Sequence, residues 1–256
     1  DTAARRTLEV VAQARFLTRE LYKALSNTFL DAMALSYDEV LLYSFVEELE
    51  GQLTLHALMR EYLQASLREV DKERFDAIHN RLFEYYDERA QPESLIEVAT
   101  NHERALQEAA FHKEKISEPE FVLWCIQRCE VFSEAARYTI TYELYKKSLD
   151  ISRTTFGEEH PSTLSIMNRL ALNLSNLGDY EAARKLNEQA VSISKRVQGE
   201  EHPDTLTSMN NLALNLDTLG DREAARKLNE QVLSIRKRVQ GEEHPDTLVN
   251  MISFAA

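Results

Sequence analysis

The sequence predicts a mainly α-helical protein in which antiparallel helix pairs stack in register, preceded by a small segment that mixes helix and strand. Three observations carry this reading. The run GEEHPSTLSIMNRLALNLSNLGDYEAARKLNEQAVSISKRVQ, from Gly157 to Gln198, is followed directly by GEEHPDTLTSMNNLALNLDTLGDREAARKLNEQVLSIRKRVQ, from Gly199 to Gln240, and 32 of the 42 aligned positions are identical. Five of the six glycines, Gly157, Gly178, Gly199, Gly220 and Gly241, fall 21 residues apart, the spacing of one turn after each helix of a two-helix unit. Between them, apolar residues recur at every third or fourth position, which places them on one helix face.

A fixed period of roughly 20 to 50 residues marks a stack of like units, none of which can bury its apolar face alone. In the second copy Leu206, Met209, Leu212, Ala213, Leu216 and Leu219 form the stripe of the first helix. Ala224, Ala225, Leu228, Val232, Ile235 and Val239 form that of the second, after the Gly220-Asp221 turn. Ala213 and Ala225 let the two helices approach closely, and Pro203 suits a first turn whose N–H groups are unpaired in any case. Lys195, Arg196, Lys237 and Arg238 sit late in their helices, where the helix dipole favours cations.

Stepping back 42 residues from Pro161, Leu186 and Ile193 reaches Pro119, Leu144 and Ile151, so 115–156 reads as a diverged copy with Ala136 in place of the hairpin glycine. DKERFDAIHNRLFEYYDERA and SLIEVATNHERALQEAAFHKEK, split at Gln91-Pro92, read as a further helical pair outside that register. Near the start, SYDEVLLYSFVEELEGQLTLHALMREYLQASL reads as a helix, a tight turn at Gly51, a short strand Gln52–Leu55 and a helix from His56. Helices are expected upstream over Leu8–Leu25 and Asn27–Leu35. The expected organisation is therefore a linker module over 1–70, diverged helical pairs over 71–156 and regular repeats over 157–256. A third copy opens with GEEHPDTL at Gly241 and stops at Ala256 within its first helix, and the chain opens on Asp1 rather than Met. It is expected to be a piece of a longer protein.

Composition excludes several functions. With 43% hydrophobic and 29% charged residues the chain has material for a core, yet no run approaches the roughly 18 apolar residues of a membrane-spanning helix. The opening DTAARRTLEV lacks the apolar centre of a secretion signal, so a soluble, cytoplasmic protein is expected. A net charge of -13 repels a phosphate backbone, and both 1–156 (19 basic, 28 acidic) and 157–256 (11 basic, 15 acidic) share the excess of acid. No nucleic-acid partner is expected. Neither GxxxxGK[ST] nor GxGxxG occurs, so no nucleotide or other cofactor is expected.

Cys125 and Cys129, four apart beside Trp124, read as buried structural thiols. His160, His202 and His244 recur by translation and cannot converge on one metal ion, so they read as helix caps or turn-packing residues. His56 and His112 have no Ser, Cys or paired acid at a catalytic spacing, and no enzymatic activity is expected; His56 reads as a packing residue. Glu47-Glu48-Glu50 and Glu158-Glu159 read as solvated faces.

The LGDYEAA and LGDREAA turns, the small residue eight positions into the first helix and the 42-residue period carrying GEEHPDT resemble tetratricopeptide repeats of the kinesin-light-chain type, strongly over 157–256 and more weakly over 72–156. The resemblance implies a right-handed superhelix whose first helices line a concave surface. It places the inward positions at Ser165, Asn168, Leu172, Ser175 and Asn176, then at Thr207, Asn210, Leu214, Asp217 and Thr218. Of the ten differences between the two copies, three fall on these positions, as a surface free to vary its ligand would allow. Asn168 and Asn210 are the leading peptide contacts, because an amide donates and accepts at once.

Such repeats are also similar to the sensor arms of STAND signalling ATPases with an NB-ARC or NACHT engine. The string LTLHALMREYL resembles the end of the winged-helix module that joins engine to repeats in those proteins. The resemblance thus implies a protein- or peptide-binding arm of an immune- or defence-like signalling ATPase, with ligand in the concave groove and the ATPase in cis upstream. A stand-alone cargo or assembly adaptor is the alternative, and a DNA-binding regulator acting through 1–70 is disfavoured by charge.

Overall fold

The structure is a computed structural model that describes residues 2–49, 52–92, 100–245, 247, 248, 250 and 251. The chain divides into two compact units, one comprising residues up to 92 with 100–117 and the other running from 118 onward.

The first unit contains α1 (Thr2–Val11), α2 (Arg19–Phe29), a short α3 (Tyr37–Val40), β1 (Val46–Leu49), β2 (Gln52–Leu55), α4 (Ala57–Val70), α5 (Lys72–Arg89) and α6 (Thr100–Ile116). Its core gathers Leu8, Val11, Leu17, Leu21, Leu53, Leu63 and Ile78. The continuous helix expected over Leu8–Leu25 does not form. The chain leaves the helix after Val11, and Leu17 exchanges both its N–H and C=O with Leu53 at 2.8 Å, adding a rung to the hairpin. Thr18 then opens α2 by accepting the Leu21 N–H through its hydroxyl at 3.1 Å. Nor does a separate helix span Asn27–Leu35, because α2 runs on to Phe29 and the Asp31 carboxylate accepts the Met33 N–H at 2.9 Å in a local turn.

The segment read as helix before Gly51 is also corrected. Only Tyr37–Val40 is helical, and Val46–Leu49 pair antiparallel with Gln52–Leu55, Val46 facing Leu55. Pairing satisfies both backbones while the alternation of Gln-Leu-Thr-Leu buries Leu53 and Leu55. The expected turn at Gly51 lies outside the described residues. His56, expected to pack, follows the inward Leu55; its side chain is about two-thirds exposed, 3.8 Å from Glu47 Oε1.

Helices α5 and α6 pack on each other within this unit. Between them lie two fully buried histidines. His79 Nδ1 is 2.8 Å from His112 Nδ1, and His79 Nε2 is 3.2 Å from Gln13 Oε1. The Gln13 amide is oriented by its own N–H bond to the Glu9 carbonyl, so its oxygen accepts. His79 therefore carries its proton on Nε2, and its Nδ1 accepts from His112. Burial first, then the neighbouring Lys115, pushes His79 down to about 3. Burial, then His79 and Arg15, holds His112 well below the usual imidazole range.

The second unit stacks α7 (Glu118–Glu134), α8 (Tyr138–Thr155), α9 (Pro161–Asn176), α10 (Tyr180–Val197), α11 (Pro203–Thr218) and α12 (Arg222–Val239). The second helix of one pair packs against the first helix of the next, and α9 touches both α7 and α11. The stripe residues Leu206, Met209, Leu212, Ala213, Ala225, Val232 and Ile235 are buried as expected, whereas Val239, at the helix end, stays half exposed. Each pair closes through a left-handed residue: Gly178 and Gly220 at φ 88°, and Ala136 at φ 59° in the diverged copy. A Cβ on Gly220 would meet nothing within 4 Å, so that glycine is required by its dihedral alone. His160 and His202 cap α9 and α11, their Nδ1 atoms accepting the N–H of Ser162 at 3.1 Å and of Asp204 at 3.2 Å, with Pro161 and Pro203 in the first turn.

Gly220→Ala is expected to lower unfolding free energy by about 1 kcal/mol, and Ala136→Gly to raise it by a few tenths, in urea melts of the whole chain. The histidine pair yields an acid signature. Between pH 6.5 and about 3 the unfolded chain binds protons that the folded unit refuses, so its stability should fall with pH, by up to about 1.4 kcal/mol per pH unit for each histidine. Hydrogen exchange of α5 and α6 between pH 7 and 4 reports this, and a flat profile would refute a neutral buried pair.

Candidate functional site

The ten expected inward residues lie on α9 and α11, and none is buried. They occupy the face of the helix left open by the buried side, Thr163, Leu164, Ile166, Met167, Leu170, Ala171, Asn173 and Leu174, whose contacts fix the rotation of α9. Leu172 is 46% exposed and Leu214 58%, so each repeat holds a large apolar side chain in water on an otherwise polar face.

The polar members of the set differ in what they have left to offer. The hydroxyls of Thr207 and Thr218 donate to carbonyls of their own helix, at Pro203 and Leu214. Ser175 Oγ accepts from Asn215 Nδ2 at 3.1 Å. Asn210 Oδ1 accepts from Asn250 Nδ2 at 2.6 Å, whereas Asn168 Oδ1 is shielded and has no partner. Of the two asparagines singled out by sequence, only Asn168 keeps an unused acceptor.

A groove of about 260 Å³ lies along α7 and α9, lined by Glu130, Ser133, Glu134, Tyr145, Arg169, Leu172, Asn173 and Asn176. It brings together two of the ten expected residues, Leu172 and Asn176. Arg169 lies 3.6 Å from Glu130 Oε2. Burial, then the Cys129 thiol, pushes the Tyr145 phenol up to about 12, so it stays protonated. At the floor Asn173 is 2% exposed; its Nδ2 donates to Thr141 Oγ1 at 2.5 Å and its Oδ1 has no partner.

Sequence reasoning missed Glu130, Ser133 and Glu134, although the signal was present. They stand 42 residues before Leu172, Ser175 and Asn176, at the inward positions of the diverged copy. By the same step Leu123, half exposed, matches Ser165. Asn173 and Asn215 were also missed; a polar residue on a buried stripe, identical in both copies, was the clue.

The acidic pair of each GEE turn is exposed, as expected, and is also paired with basic side chains. The first acid pairs with the helix just ended, Arg153 with Glu158 at 3.5 Å, Lys195 with Glu200 and Lys237 with Glu242 at 3.1 Å. The second reaches the next second helix, Glu159 with Arg196 and Glu201 with Arg238, both at 2.8 Å. Cys125 and Cys129 are buried free thiols, and burial raises Cys129 above the usual thiol range. Among the described residues no group of three or more His, Cys, Asp and Glu side chains could hold a metal ion, and no helix is long and apolar enough to cross a membrane.

Residues 123–195 and 164–238 match the tetratricopeptide repeat family. The fold is similar to BtubC (BKLC) from P. vanneervenii, with a TM-score of 0.54 at 21% identity over 75% of this chain and 76% of that one. It is also similar to the nearly identical TPR-like repeats of a protein from Podosopora anserina described as a kinesin light chain, with a TM-score of 0.50 at 24% identity over 72% of this chain and 86% of that one. At these identities the likeness is one of fold. No curated protein sequence matches the chain. Residues 123–238 thus carry tetratricopeptide repeats, a repeat type that implies protein–protein interaction.

The exposed Glu201–Arg238 pair should show a coupling of about 0.3 to 1 kcal/mol in a double-mutant cycle with Glu201→Gln and Arg238→Gln, vanishing near 1 M salt.

Proposed function

We propose that the chain is a non-enzymatic binding module whose repeats take up an extended protein segment along the face built from α7, α9 and α11. One observation carries this reading: the exposed Leu172 stands over a groove whose floor holds an unpartnered buried amide oxygen at Asn173. An unsatisfied acceptor in a buried site is costly, and an extended backbone supplies N–H donors at regular intervals while its side chains cover apolar surface. The ten residues on α9 and α11, extended by Glu130, Ser133 and Glu134, form the contact row.

A regulatory role rests on the first unit. Its order of helix, bridging residue Leu17, two helices, then the β1–β2 hairpin follows the order of a winged helix, and LTLHALMREYL closes it. This supports a cytoplasmic sensor arm in which the winged-helix-like segment passes occupancy to a STAND-type ATPase in cis. Ligand would then have to favour one arrangement over another by about 3 to 5 kcal/mol to act as a decisive switch.

Dodecapeptides selected from a random displayed library against the whole chain provide the probe. Selected peptides should lose at least tenfold in affinity on Leu172→Ser. If that substitution, and alanine at Asn168, Asn210 and Asp217, all leave binding unchanged, the groove is not the site.

A further inference from the structure

We infer that this groove selects a cationic segment, an extended stretch in which Lys or Arg accompanies an apolar residue of leucine size. The inference rests on the binding-face reading and adds the chemistry of the partner. On α7, α9 and α11 the charged inward residues are Glu130, Glu134 and Asp217, and the base beside them in the groove is Arg169. Arg169 lies 3.6 Å from Glu130, which leaves the carboxylates of Glu134 and Asp217 as the excess charge of the face.

Hydrogen-bond capacity points the same way, independently of charge. Asn173 Oδ1 is an acceptor at the groove floor with no partner, Asn168 Oδ1 is a second along the same helix, and a carboxylate only accepts. These two amide oxygens each call for a donor from the partner, beside lining groups that can themselves donate, Arg169, Tyr145 and Ser133. Lys and Arg side chains donate without accepting, so they suit both the excess carboxylates and these two oxygens, whereas an acidic segment would add like charge and further acceptors.

Spacing refines the motif. Leu172 and Leu214 hold equivalent positions on adjoining first helices, and packed helices lie roughly 8 to 10 Å apart. A segment extended in the polyproline-II form has three residues per turn and rises about 3.1 Å per residue, so apolar residues three apart share one face at about 9 Å and fit the row, with basic residues between or beside them.

The test sequences the dodecapeptides selected on the unmodified chain and measures their affinity for a Glu134→Gln/Asp217→Asn variant, with circular dichroism confirming the fold. Lys and Arg should be enriched severalfold next to Leu, Ile or Phe, and affinity should fall about tenfold on the neutralised variant and also in 0.5 M salt. Peptides that lose affinity on Leu172→Ser yet show no basic enrichment, or bind the neutralised variant equally well, would overturn the cationic inference and leave the groove standing. Peptides indifferent to Leu172→Ser would overturn the groove itself.

Discussion

The second unit depends on one local constraint, the left-handed residue that closes each helix pair. A helix that ends in this conformation returns its last N–H groups to its own final carbonyls, as where Asp179 N–H bonds the Leu174 carbonyl at 2.9 Å, and sends the chain back antiparallel. Once the return is fixed, the stripe of α9 meets the stripe of α10, and Ala171 and Ala183, both fully buried, set how closely the helices approach. The remaining face of α9 is left unburied by the same rotation. The candidate site is therefore a consequence of the packing: residues at the positions the stripe does not use, brought into a row because successive first helices touch.

The two near-identical copies separate structural from variable chemistry. The capping histidines, the GEE acids with their basic partners, the closing glycines and the buried Asn173 and Asn215 are the same in both, and each has a structural task in the stack. The differences at Ser165/Thr207, Ser175/Asp217 and Asn176/Thr218 fall where the side chain meets water or a neighbouring first helix. The ion pairs add little energy individually, because they are exposed, but they recur at each junction and link one pair to the next.

The first unit follows different rules. Its helices are held by long-range contacts, Leu17 with Leu53 in the sheet and His79 with both His112 and Gln13 in the interior. The buried imidazole pair is stable because each ring can be neutral and one can donate to the other, while Arg15 is held nearby by the buried Glu108 at 2.5 Å. Such a chain of polar contacts specifies one arrangement of α1, α5 and α6, which apolar packing alone would leave less defined.

The sequence by itself determined the repeat, its period, the helix pairs, the histidine caps and the unburied face of α9 and α11, because each follows from spacing within one unit and the next repeats it. Even Ala136 at a closing turn could be read from the register, and φ 59° there is the price of the missing glycine. Tertiary structure alone decided the break of the first expected helix at Val11, the strand Val46–Leu49, the exposure of His56 and the meeting of His79 with His112. The break and the histidine pair depend on partners 33 or more residues away outside any repeat, and the strand on a partner across the hairpin; a polar or ambiguous segment takes the conformation in which another backbone or ring completes its hydrogen bonds. The groove falls between the two cases. Its positions were countable from the register, but the unused acceptor of Asn173 and the pairing of Arg169 with Glu130 appear only once α7 and α9 stand side by side.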